Sequence, residues 1–299
     1  MTTENEFHQP VLLEEVLHGL VLRPGAVVVD ATVGGGGHAE ALLRAIGPKG
    51  KLIGFDRDRE ALDFSQRRLG KFHHQMELIH SHFGNLAACL TERGIREIDA
   101  ALFDLGVSSF QLGTPGRGLS FSHEGPLDMR MDQTESMTAS DIVNQASVKD
   151  LTKLLRDFGQ ERWSGRIAKA IVRARPLTTT THLADVIRTA VPAAGGQERI
   201  HPATRSFQAL RITVNRELEI LSEGLRHTMT FLRPGGRIAV LSYHSLEDRI
   251  VKATFREKVR AGEYELVNRK PIRPSEEEVR RNPRSRSAVL RVAQRVMLP

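Results

Sequence analysis

The sequence predicts an α/β protein with a doubly wound, mostly parallel sheet and an inserted all-helical subdomain. Apolar β-branched runs alternate with helical patterns over residues 1–110, whereas residues 139–226 contain helical patterns and no convincing strand. A strand pattern returns at Arg237–Ser242. Strands that alternate with helices of about ten residues indicate βαβ units and parallel pairing. The chain is therefore expected to form one sheet whose sequence is interrupted by helices.

The first part of the predicted sheet comprises four strands. Ala26–Ala31 is a continuous apolar run, typical of a strand that is covered on both faces. A helix is expected before it over Val11–Leu20. The elements expected after it are helix Ala39–Ile46, strand Lys51–Asp56, helix Arg59–Leu69, strand Glu77–Ser81, helix Leu86–Arg93 and strand Ile98–Leu105.

The interruption and the C-terminal strands set the predicted domain bounds. Residues 113–204 are assigned to the helical insertion, and residues 1–112 and 205–299 to one discontinuous α/β domain. A Pro234-Gly235-Gly236 turn is expected just before the returning strand. Two further strands are expected to add an antiparallel edge, and they are Tyr264–Arg269 and Ala288–Val296.

The positive charge of the chain is concentrated at its C-terminus. The whole chain carries a net charge of +7. Residues 249–299 hold 14 basic and 6 acidic residues, while residues 1–248 hold 29 basic and 30 acidic ones. A basic region on an otherwise balanced chain favours a polyanion such as a nucleic acid as partner, because phosphate contacts supply affinity. A solvated basic surface without a partner is the alternative.

Composition excludes several classes of protein. No apolar run approaches the roughly 18 residues of a membrane span, and the N-terminus lacks the basic and apolar segments of a secretory signal. The single cysteine, Cys89, cannot form an intramolecular disulfide, and no cysteine and histidine cluster has the spacing of a zinc site. A cytoplasmic protein without a metal site or a membrane partner is expected.

Glycines and carboxylates follow the predicted strands at their carboxyl ends, where open α/β sheets bind ligands. The run Gly34–Gly37 follows the first strand, Asp56 ends the second and Asp104 ends the fourth. A glycine turn lets a ligand approach the backbone at a helix N-terminus, and an acid about 20 residues further on can bind both hydroxyls of a ribose. An adenosine-type ligand is therefore predicted.

The spacing of the glycines distinguishes between the possible cofactors. The Gly-x-Gly-x-x-Gly pattern of NAD enzymes fits poorly, because Ala39 stands three residues after Gly36, and the phosphate loop of P-loop proteins is absent. A polar residue that closes strand four, here Asp104, suits S-adenosylmethionine, since it can receive the adenine amine or face the transferred methyl. An NAD enzyme or a small-molecule methyltransferase is a weaker alternative that leaves the basic C-terminus without a purpose.

Longer strings lie along nearly the whole chain. They are HQPVLLEE (His8–Glu15), GGGGH (Gly34–His38), FDLGVSS (Phe103–Ser109), GPLDMRMD (Gly125–Asp132), HPATRSFQALRI (His201–Ile212), HSLEDR (His244–Arg249) and NPRSRS (Asn282–Ser287). In these strings the chain resembles the bacterial 16S ribosomal RNA cytosine-N4 methyltransferases, the RsmH or MraW family.

The resemblance implies the Rossmann-like fold of class I S-adenosylmethionine-dependent methyltransferases, with S-adenosylmethionine as methyl donor. The acceptor that it implies is a decoding-region cytidine of 16S ribosomal RNA, free or within the small ribosomal subunit. Residues 113–204 are then expected to recognise RNA. The cofactor contacts that the resemblance implies fall on Gly36, Gly37, His38, Asp56, Phe83, Asp104 and Gln111.

The nucleophilic residues of the sequence limit which atom of the base can be methylated. Methylation of carbon 5 of a pyrimidine normally needs a cysteine, and Cys89 lies in a predicted helix away from the strand ends. A nitrogen or oxygen acceptor is therefore favoured. An N4 amine needs a hydrogen-bond acceptor that makes its nitrogen more tetrahedral and takes its proton. Asp104 or neighbouring backbone carbonyls are expected to do this, with Ser108 and His244 as polar neighbours; a loop-ordering role is the alternative for His244.

Two basic surfaces are candidates for contact with RNA. One is a row of cations at spacings of four, three and four on one face of a predicted helix, beside an apolar stripe that includes Trp163: Arg162, Arg166, Lys169 and Arg173. The other is in the C-terminal region, where the basic residues are Arg280, Arg281, Arg284 and Arg286. A solvated helix face is the alternative for the first surface. A non-catalytic RNA-binding or ribosome-assembly protein that retains a nucleoside pocket is the alternative to an enzyme.

Overall fold

The computed structural model describes residues 10–192 and 201–297, apart from the side chains of residues 109 and 110. The chain divides into two units. The sheet unit comprises the described residues up to Ser108 and from Leu218 onward, and the helical unit comprises Ser109–Glu217. Within the described ranges, no helix combines the length and the apolar character that crossing a bilayer requires.

One sheet forms the centre of the sheet unit. Its strands are β1 (Val27–Asp30), β2 (Lys51–Asp56), β3 (Met76–His80), β4 (Ile98–Asp104), β5 (Leu232–Ser242), β6 (Tyr264–Leu266) and β7 (Val289–Arg295). Their order is β3-β2-β1-β4-β5-β7-β6. Strands β1 to β5 are parallel, and β7 is antiparallel to both β5 and β6. The predicted doubly wound, mostly parallel sheet with an antiparallel edge is confirmed.

The strand order reverses at β1, which lies between β2 and β4. Asp30, the last residue of β1, is paired with Gly54 of β2 and with Leu102 of β4. Ligands of open α/β sheets bind at such a reversal, beyond the carboxyl ends of the strands. The last residues of the three strands, Asp30, Asp56 and Asp104, therefore share the edge of the sheet at which a ligand is expected.

The prediction of a turn just before β5 is wrong. β5 starts at Leu232 and continues through Pro234-Gly235-Gly236, with a register shift: Ile98 pairs with Leu232, and Ala100 with Arg237. A Cβ on Gly236 would lie 2.9 Å from the carbonyl oxygen of Asp99. The glycines thus allow a bulge that passes close to β4, instead of a turn that ends a loop.

Helices cover both faces of the sheet and form the helical unit. In chain order they are α1 (Leu13–Leu20), α2 (Gly37–Ile46), α3 (Arg59–Arg68), α4 (Leu86–Glu92), α5 (Ser109–Gly113), α6 (Ala139–Gln145), α7 (Val148–Gly159), α8 (Ser164–Arg173), α9 (Thr180–Ala190), α10 (Ala203–Asn215), α11 (Glu217–Phe231), α12 (Ser245–Arg260) and α13 (Glu276–Arg281). Helices α5 to α10 belong to the helical unit.

Alternate strand residues of the sheet unit enter two separate cores. Val29 and Phe103 pack on one face with residues of α4, α11 and α12, whereas Val28 and Leu102 pack on the other with residues of α1 and α2. Successive side chains of a strand point to opposite faces, so a strand with two buried faces is apolar throughout. This explains the unbroken apolar runs in the sequence.

The helical unit is built from capped helices that pack closely. Thr138, Ser147 and Thr179 accept hydrogen bonds from backbone N–H groups at the starts of α6, α7 and α9. A Cβ on Gly159 would lie 2.6 Å from the carbonyl oxygen of Arg205, so glycine permits the close approach of α7 and α10. The helical character of the insertion is confirmed. The expected bounds, 113 and 204, fall inside this unit, and its assignment to RNA recognition stays a prediction.

Candidate active site

A glycine turn connects β1 to α2 at the carboxyl edge of the sheet. Gly34 and Gly36 have φ angles of 51° and 76°, in the left-handed region that favours glycine. A Cβ on Gly36 would lie 3.1 Å from Oγ of Ser65, which donates to the carbonyl oxygen of Gly34 at 2.7 Å. Gly37, the first residue of α2, is partly exposed. A ligand can therefore approach the backbone at this helix N-terminus.

The carboxylate of Asp56 lies against the glycine turn. Its Oδ2 accepts from the backbone N–H of Gly34 at 2.8 Å, and its Oδ1 accepts from that of Asp58 at 2.9 Å. Desolvation raises the pKa of Asp56 to about 6, although both N–H donors favour the charged form. Each carboxylate oxygen can accept more than one hydrogen bond. The side chain is thus fixed in one orientation and retains the capacity to bind two hydroxyl groups.

Asp104 is held at the tip of β4 by two side chains. Its Oδ1 accepts from the hydroxyl of Tyr243 at 2.7 Å, and its Oδ2 lies 3.2 Å from Nδ1 of His38. Its backbone N–H donates to Oγ1 of Thr32 at 2.7 Å. Tyr243 is not among the site residues predicted from the sequence. The signal that could have found it is a polar aromatic residue directly after the strand that neighbours β4.

The imidazole of His38 bridges two acceptors. Besides Asp104, it faces the carbonyl oxygen of Val11, 3.1 Å from Nε2. Burial lowers the pKa of His38, but the hydrogen bond and the charge of Asp104 outweigh it, so the pKa is raised. Only the protonated ring can donate to both acceptors at once. The ring of His38 is therefore held between Val11 and Asp104 and is engaged within the protein.

Asp30 adds a second buried carboxyl group at this edge. It is 0% exposed; its Oδ1 accepts from the backbone N–H of Thr32 at 3.0 Å, and its Oδ2 has no hydrogen-bond partner among the described residues. Burial raises the pKa of Asp30 to about 7, and the negative charges of Asp104 and Asp56 act in the same direction. The carboxyl group is thus neutral below this pH.

His244 lies at the start of α12, where it forms a capping box with Glu247. Its Nδ1 accepts from the backbone N–H of Glu247 at 3.3 Å, and Oε2 of Glu247 accepts from the N–H groups of Tyr243 and His244 at 2.8 and 3.1 Å. This arrangement orders the segment that carries Tyr243. The geometry gives His244 a structural role as the cap of α12. A catalytic role for His244 stays a prediction.

The other predicted site residues lie in both units. In the sheet unit, the Phe83 ring packs edge-to-face on Phe103, with ring centroids 5.2 Å apart, and Ser108 is half-buried four residues after Asp104. In the helical unit, Gln111 is a buried residue of α5. The participation of these residues in cofactor binding or catalysis stays a prediction.

The first predicted RNA surface is only partly helical. α8 begins at Ser164, so Arg162 precedes the helix, while Arg166, Lys169 and Arg173 lie on it. All four cations are exposed. The expected apolar stripe also differs, because Trp163 is partly exposed, with arginines over its ring. Of the following positions in this stripe, Ile167 and Ile171 are buried and Ala170 is partly exposed.

The second predicted RNA surface contains two kinds of arginine. Arg280 and Arg281, on α13, form ion pairs with glutamates one turn earlier in the same helix. Arg284 and Arg286 lie in the following turn of 3₁₀ helix, Pro283–Ser287, and are exposed. Neither makes an ion pair with a residue that the structure describes. These two guanidinium groups are therefore available to an anionic partner.

Together the sheet and its carboxyl edge define a Rossmann-like α/β protein with a glycine turn and a fixed carboxylate at the ligand-binding position. The chain belongs to the MraW methylase family, whose model matches residues 5–296. This agrees with the resemblance noted in the sequence and with the class I methyltransferase fold.

Several similar proteins share the name ribosomal RNA small subunit methyltransferase H. The protein from Syntrophotalea carbinolica is 49% identical, and the similarity covers 99% of this chain and 100% of that protein. The relative from Geobacter sp. strain M21 is 47% identical over 98% of this chain and 100% of its own length. That from Halothermothrix orenii is 45% identical, with 97% and 99% covered.

Proposed function

We propose that the protein transfers the methyl group of S-adenosylmethionine to the N4 amine of a decoding-region cytidine in 16S ribosomal RNA. Family membership and the names of its relatives support a methylase of small-subunit ribosomal RNA. The observation that carries the chemistry is the Asp104 carboxylate, which Tyr243 and His38 hold at the tip of β4. The cofactor, when bound, supplies an electrophilic methyl group on a sulfonium.

The residues around the glycine turn fit this cofactor. Both oxygens of Asp56 are oriented by backbone N–H groups and can still accept from two ribose hydroxyls. The backbone of Gly36, Gly37 and His38, at the N-terminus of α2, suits the negatively charged carboxylate of the methionine part. Because the His38 ring is engaged, its contact with the cofactor is made by the backbone. Phe83 and Gln111 are the remaining proposed cofactor contacts.

Asp104 is proposed to act on the acceptor amine. The N4 lone pair is delocalised into the cytosine ring, and a hydrogen bond from the amine to the carboxylate favours a more tetrahedral, more nucleophilic nitrogen. Tyr243 and His38 restrict the carboxylate to one orientation, which lowers the entropic cost of the reacting geometry. The methyl–sulfur bond would break as the new N–C bond forms, leaving a neutral thioether, and the amine proton would pass to Asp104. An adjacent backbone carbonyl would accept a hydrogen bond from the amine, with Ser108 and His244 as polar neighbours.

RNA binding is assigned to exposed cations of both units. Arg284 and Arg286 of the sheet unit make no ion pair with a described residue and are proposed to bind phosphates. The row of cations at α8 is proposed as the contact of the helical unit, and it consists of Arg162, Arg166, Lys169 and Arg173. Arg284 and Arg286 belong to residues 249–299, where the positive charge of the chain is concentrated.

The decisive experiment measures transfer of label from methyl-labelled S-adenosylmethionine. The acceptors are unmodified small subunits and naked 16S RNA, and the labelled nucleoside is identified by mass. We expect N4-methylcytidine with the wild type, severe loss of transfer with Asp104→Ala, and normal transfer with Asp63→Ala, which alters an exposed carboxylate of α3. Near-normal turnover by folded Asp104→Ala would remove Asp104 from this role.

The same experiment separates the enzyme from its alternative. Calorimetry with S-adenosylhomocysteine measures cofactor binding independently of transfer. Binding of the cofactor and of small subunits by the wild type, without label in RNA, would favour a non-catalytic RNA-binding or ribosome-assembly protein.

A further inference from the structure

A tryptophan and two arginines lie together at the start of α8 in the helical unit. The Cζ atoms of Arg162 and Arg166 lie 5.0 and 5.7 Å from the centroid of the Trp163 ring. Both distances are within the range of cation–π contacts. The indole is partly exposed and both guanidinium groups belong to exposed residues. These three residues are termed the Arg–Trp–Arg cluster.

The cluster is fixed by the helix start and not by burial in the core. The backbone N–H of Trp163 donates to Oε1 of the buried Glu161 at 2.8 Å, and its carbonyl oxygen accepts from the N–H groups of Arg166 and Ile167. Ile167 is fully buried, whereas the indole is not. The aromatic ring is thus held at the surface on an ordered backbone.

The positive charge of this surface is not neutralised by ion pairs with residues that the structure describes. None of the four cations at α8 makes an ion pair with a described residue. Other arginines of the helical unit do: Arg156 pairs with Asp157 at 3.3 Å, Arg188 with Asp185 at 3.0 Å and Arg211 with Glu217 at 2.9 Å. Like charges three and four residues apart on a helix repel each other. A bound polyanion would relieve that repulsion.

We infer that the Arg–Trp–Arg cluster is a stacking site for an unpaired base of single-stranded RNA, with Lys169 and Arg173 binding the adjacent phosphates. The inference rests on the proposed function and extends it to the form of RNA that is recognised. Unpaired bases stack on aromatic rings and on guanidinium planes. Because the indole already orders Arg162 and Arg166, less side-chain freedom is lost when RNA binds. A duplex keeps its base faces stacked and cannot use this surface in the same way.

The single tryptophan provides a direct measurement, because Trp163 is the only one in the chain. Full-length protein is titrated with single-stranded oligocytidylate and with an RNA duplex of the same length. We expect the single strand to quench the fluorescence of Trp163 and the duplex to leave it nearly unchanged. Equal quenching by the duplex would overturn the inference.

Variants test the cluster through the anisotropy of labelled oligocytidylate, with circular dichroism as the check of folding. Trp163→Ala is expected to weaken binding by roughly 5- to 100-fold, and Trp163→Phe to retain most of the affinity. Arg156→Ala, which alters an exposed arginine that has an acidic partner, is the matched control and is expected to bind normally. Unchanged affinity of folded Trp163→Ala would contradict the inference.

Methyl transfer to small subunits distinguishes this inference from the proposed function. Trp163→Ala is expected to raise the KM for small subunits while cofactor binding stays unchanged. If the wild type transfers methyl groups and Trp163→Ala has an unchanged KM, the stacking site is wrong and the proposed function stands. If oligocytidylate binding depends on Trp163 and the wild type transfers no methyl group, the stacking site stands and the proposed function is wrong.

Discussion

The hydroxyl of Tyr243 donates to Oδ1 of Asp104 at 2.7 Å, which joins the residue after β5 to the last residue of β4. Glu247 of α12 accepts from the backbone N–H of Tyr243 at 2.8 Å and fixes the same segment. Burial raises the pKa of Tyr243 well above its ordinary value, so the hydroxyl remains a donor. The orientation of the Asp104 carboxylate thus depends on two strands and a helix.

Tyr243→Phe removes one of the donors that hold Asp104. A hydrogen bond to a charged group contributes about 1.5–3 kcal/mol, so we expect kcat for methyl transfer to fall by roughly 10- to 100-fold. The KM for the cofactor is expected to change little. Steady-state kinetics with small subunits measures both quantities.

The other tyrosine of the chain supplies the control for this variant. The hydroxyl of Tyr264 donates to the carbonyl oxygen of Met229, in the core of the sheet unit. Tyr264→Phe is expected to lower stability without a comparable loss of kcat. Equal losses of kcat in the two variants would show that the Tyr243 bond has no particular part in transfer.

Asp30→Asn is expected to change the pH dependence of stability. The pKa of Asp30 in the folded protein is about 7, above its ordinary value of 3.8, so the folded state binds a proton that the unfolded chain releases. Its contribution to stability is fully present below pH 3.8 and is lost as the pH rises through about 7. Asp30→Asn has no titrating group at this position, so this decrease in stability is absent from the variant.

Denaturant unfolding of the wild type and Asp30→Asn at a series of pH values checks this expectation. Across the interval between the two pKa values, the free energy of unfolding of the wild type should fall by up to about 4 kcal/mol more than that of the variant. Asp56, whose folded pKa is raised to about 6, titrates in the same interval in both proteins. Parallel pH profiles would mean that Asp30 is charged when folded.

Gly36→Ala separates the strain of the glycine turn from its part in cofactor binding. Gly36 has a φ of 76°, and a Cβ there would lie 3.1 Å from Oγ of Ser65. Gly47, at the other end of α2, has a φ of 63° and no atom within 4 Å of an added Cβ. Gly36→Ala is expected to lose about 1–2 kcal/mol of stability, because Gly36 lies in the left-handed region. Gly47→Ala is expected to lose about 1–3 kcal/mol, because the ψ of −177° at Gly47 belongs to a region that almost only glycine adopts.

Only Gly36→Ala is expected to weaken the binding of S-adenosylhomocysteine in calorimetry. Equal affinities of Gly36→Ala and Gly47→Ala for S-adenosylhomocysteine would show that the cofactor does not bind at this turn.

Charge reversal of Arg284 and Arg286 to glutamate is expected to weaken RNA binding and to flatten its salt dependence. Each lost phosphate contact lowers the slope of log K against log salt by about 0.7–0.9. Titrations of 16S RNA at several salt concentrations measure the slope. Charge reversal of Arg59 and Arg67 on α3 is the control, because it changes the net charge by the same amount. An equal effect of both double variants on RNA binding would indicate only nonspecific electrostatic attraction.

The sheet was largely predictable because its strands are apolar on both faces, but local backbone geometry was not. The Pro234-Gly235-Gly236 segment has the composition of a turn, yet it forms a bulge because it pairs with β4. The start of α8 was also misplaced. The spacing of the cations places Arg162 on the helix, whereas the buried Glu161 binds the N–H of Trp163 and α8 begins at Ser164.

Site residues at the ends of strands could be predicted from the sequence. The side chains that contact them could not, because they come from distant segments of the chain. Asp56 and Asp104 follow from their positions at strand ends. The contact of His38 with Asp104 and the hydrogen bond from Tyr243 to Asp104 join residues far apart in the sequence, and no local pattern records such pairing. Likewise, the capping of α12 by His244 depends on side-chain geometry that sequence alone does not give.

The sheet unit is assembled from two stretches of chain that flank the helical unit. During synthesis, β4 emerges long before β5, and until then its outer edge has no partner strand. The intervening segment, Ser109–Glu217, is continuous and can fold first. Exposed strand edges pair readily with other chains. We therefore expect truncation before Leu232 to yield an aggregating nascent chain, and this protein to mature only once translation is nearly finished.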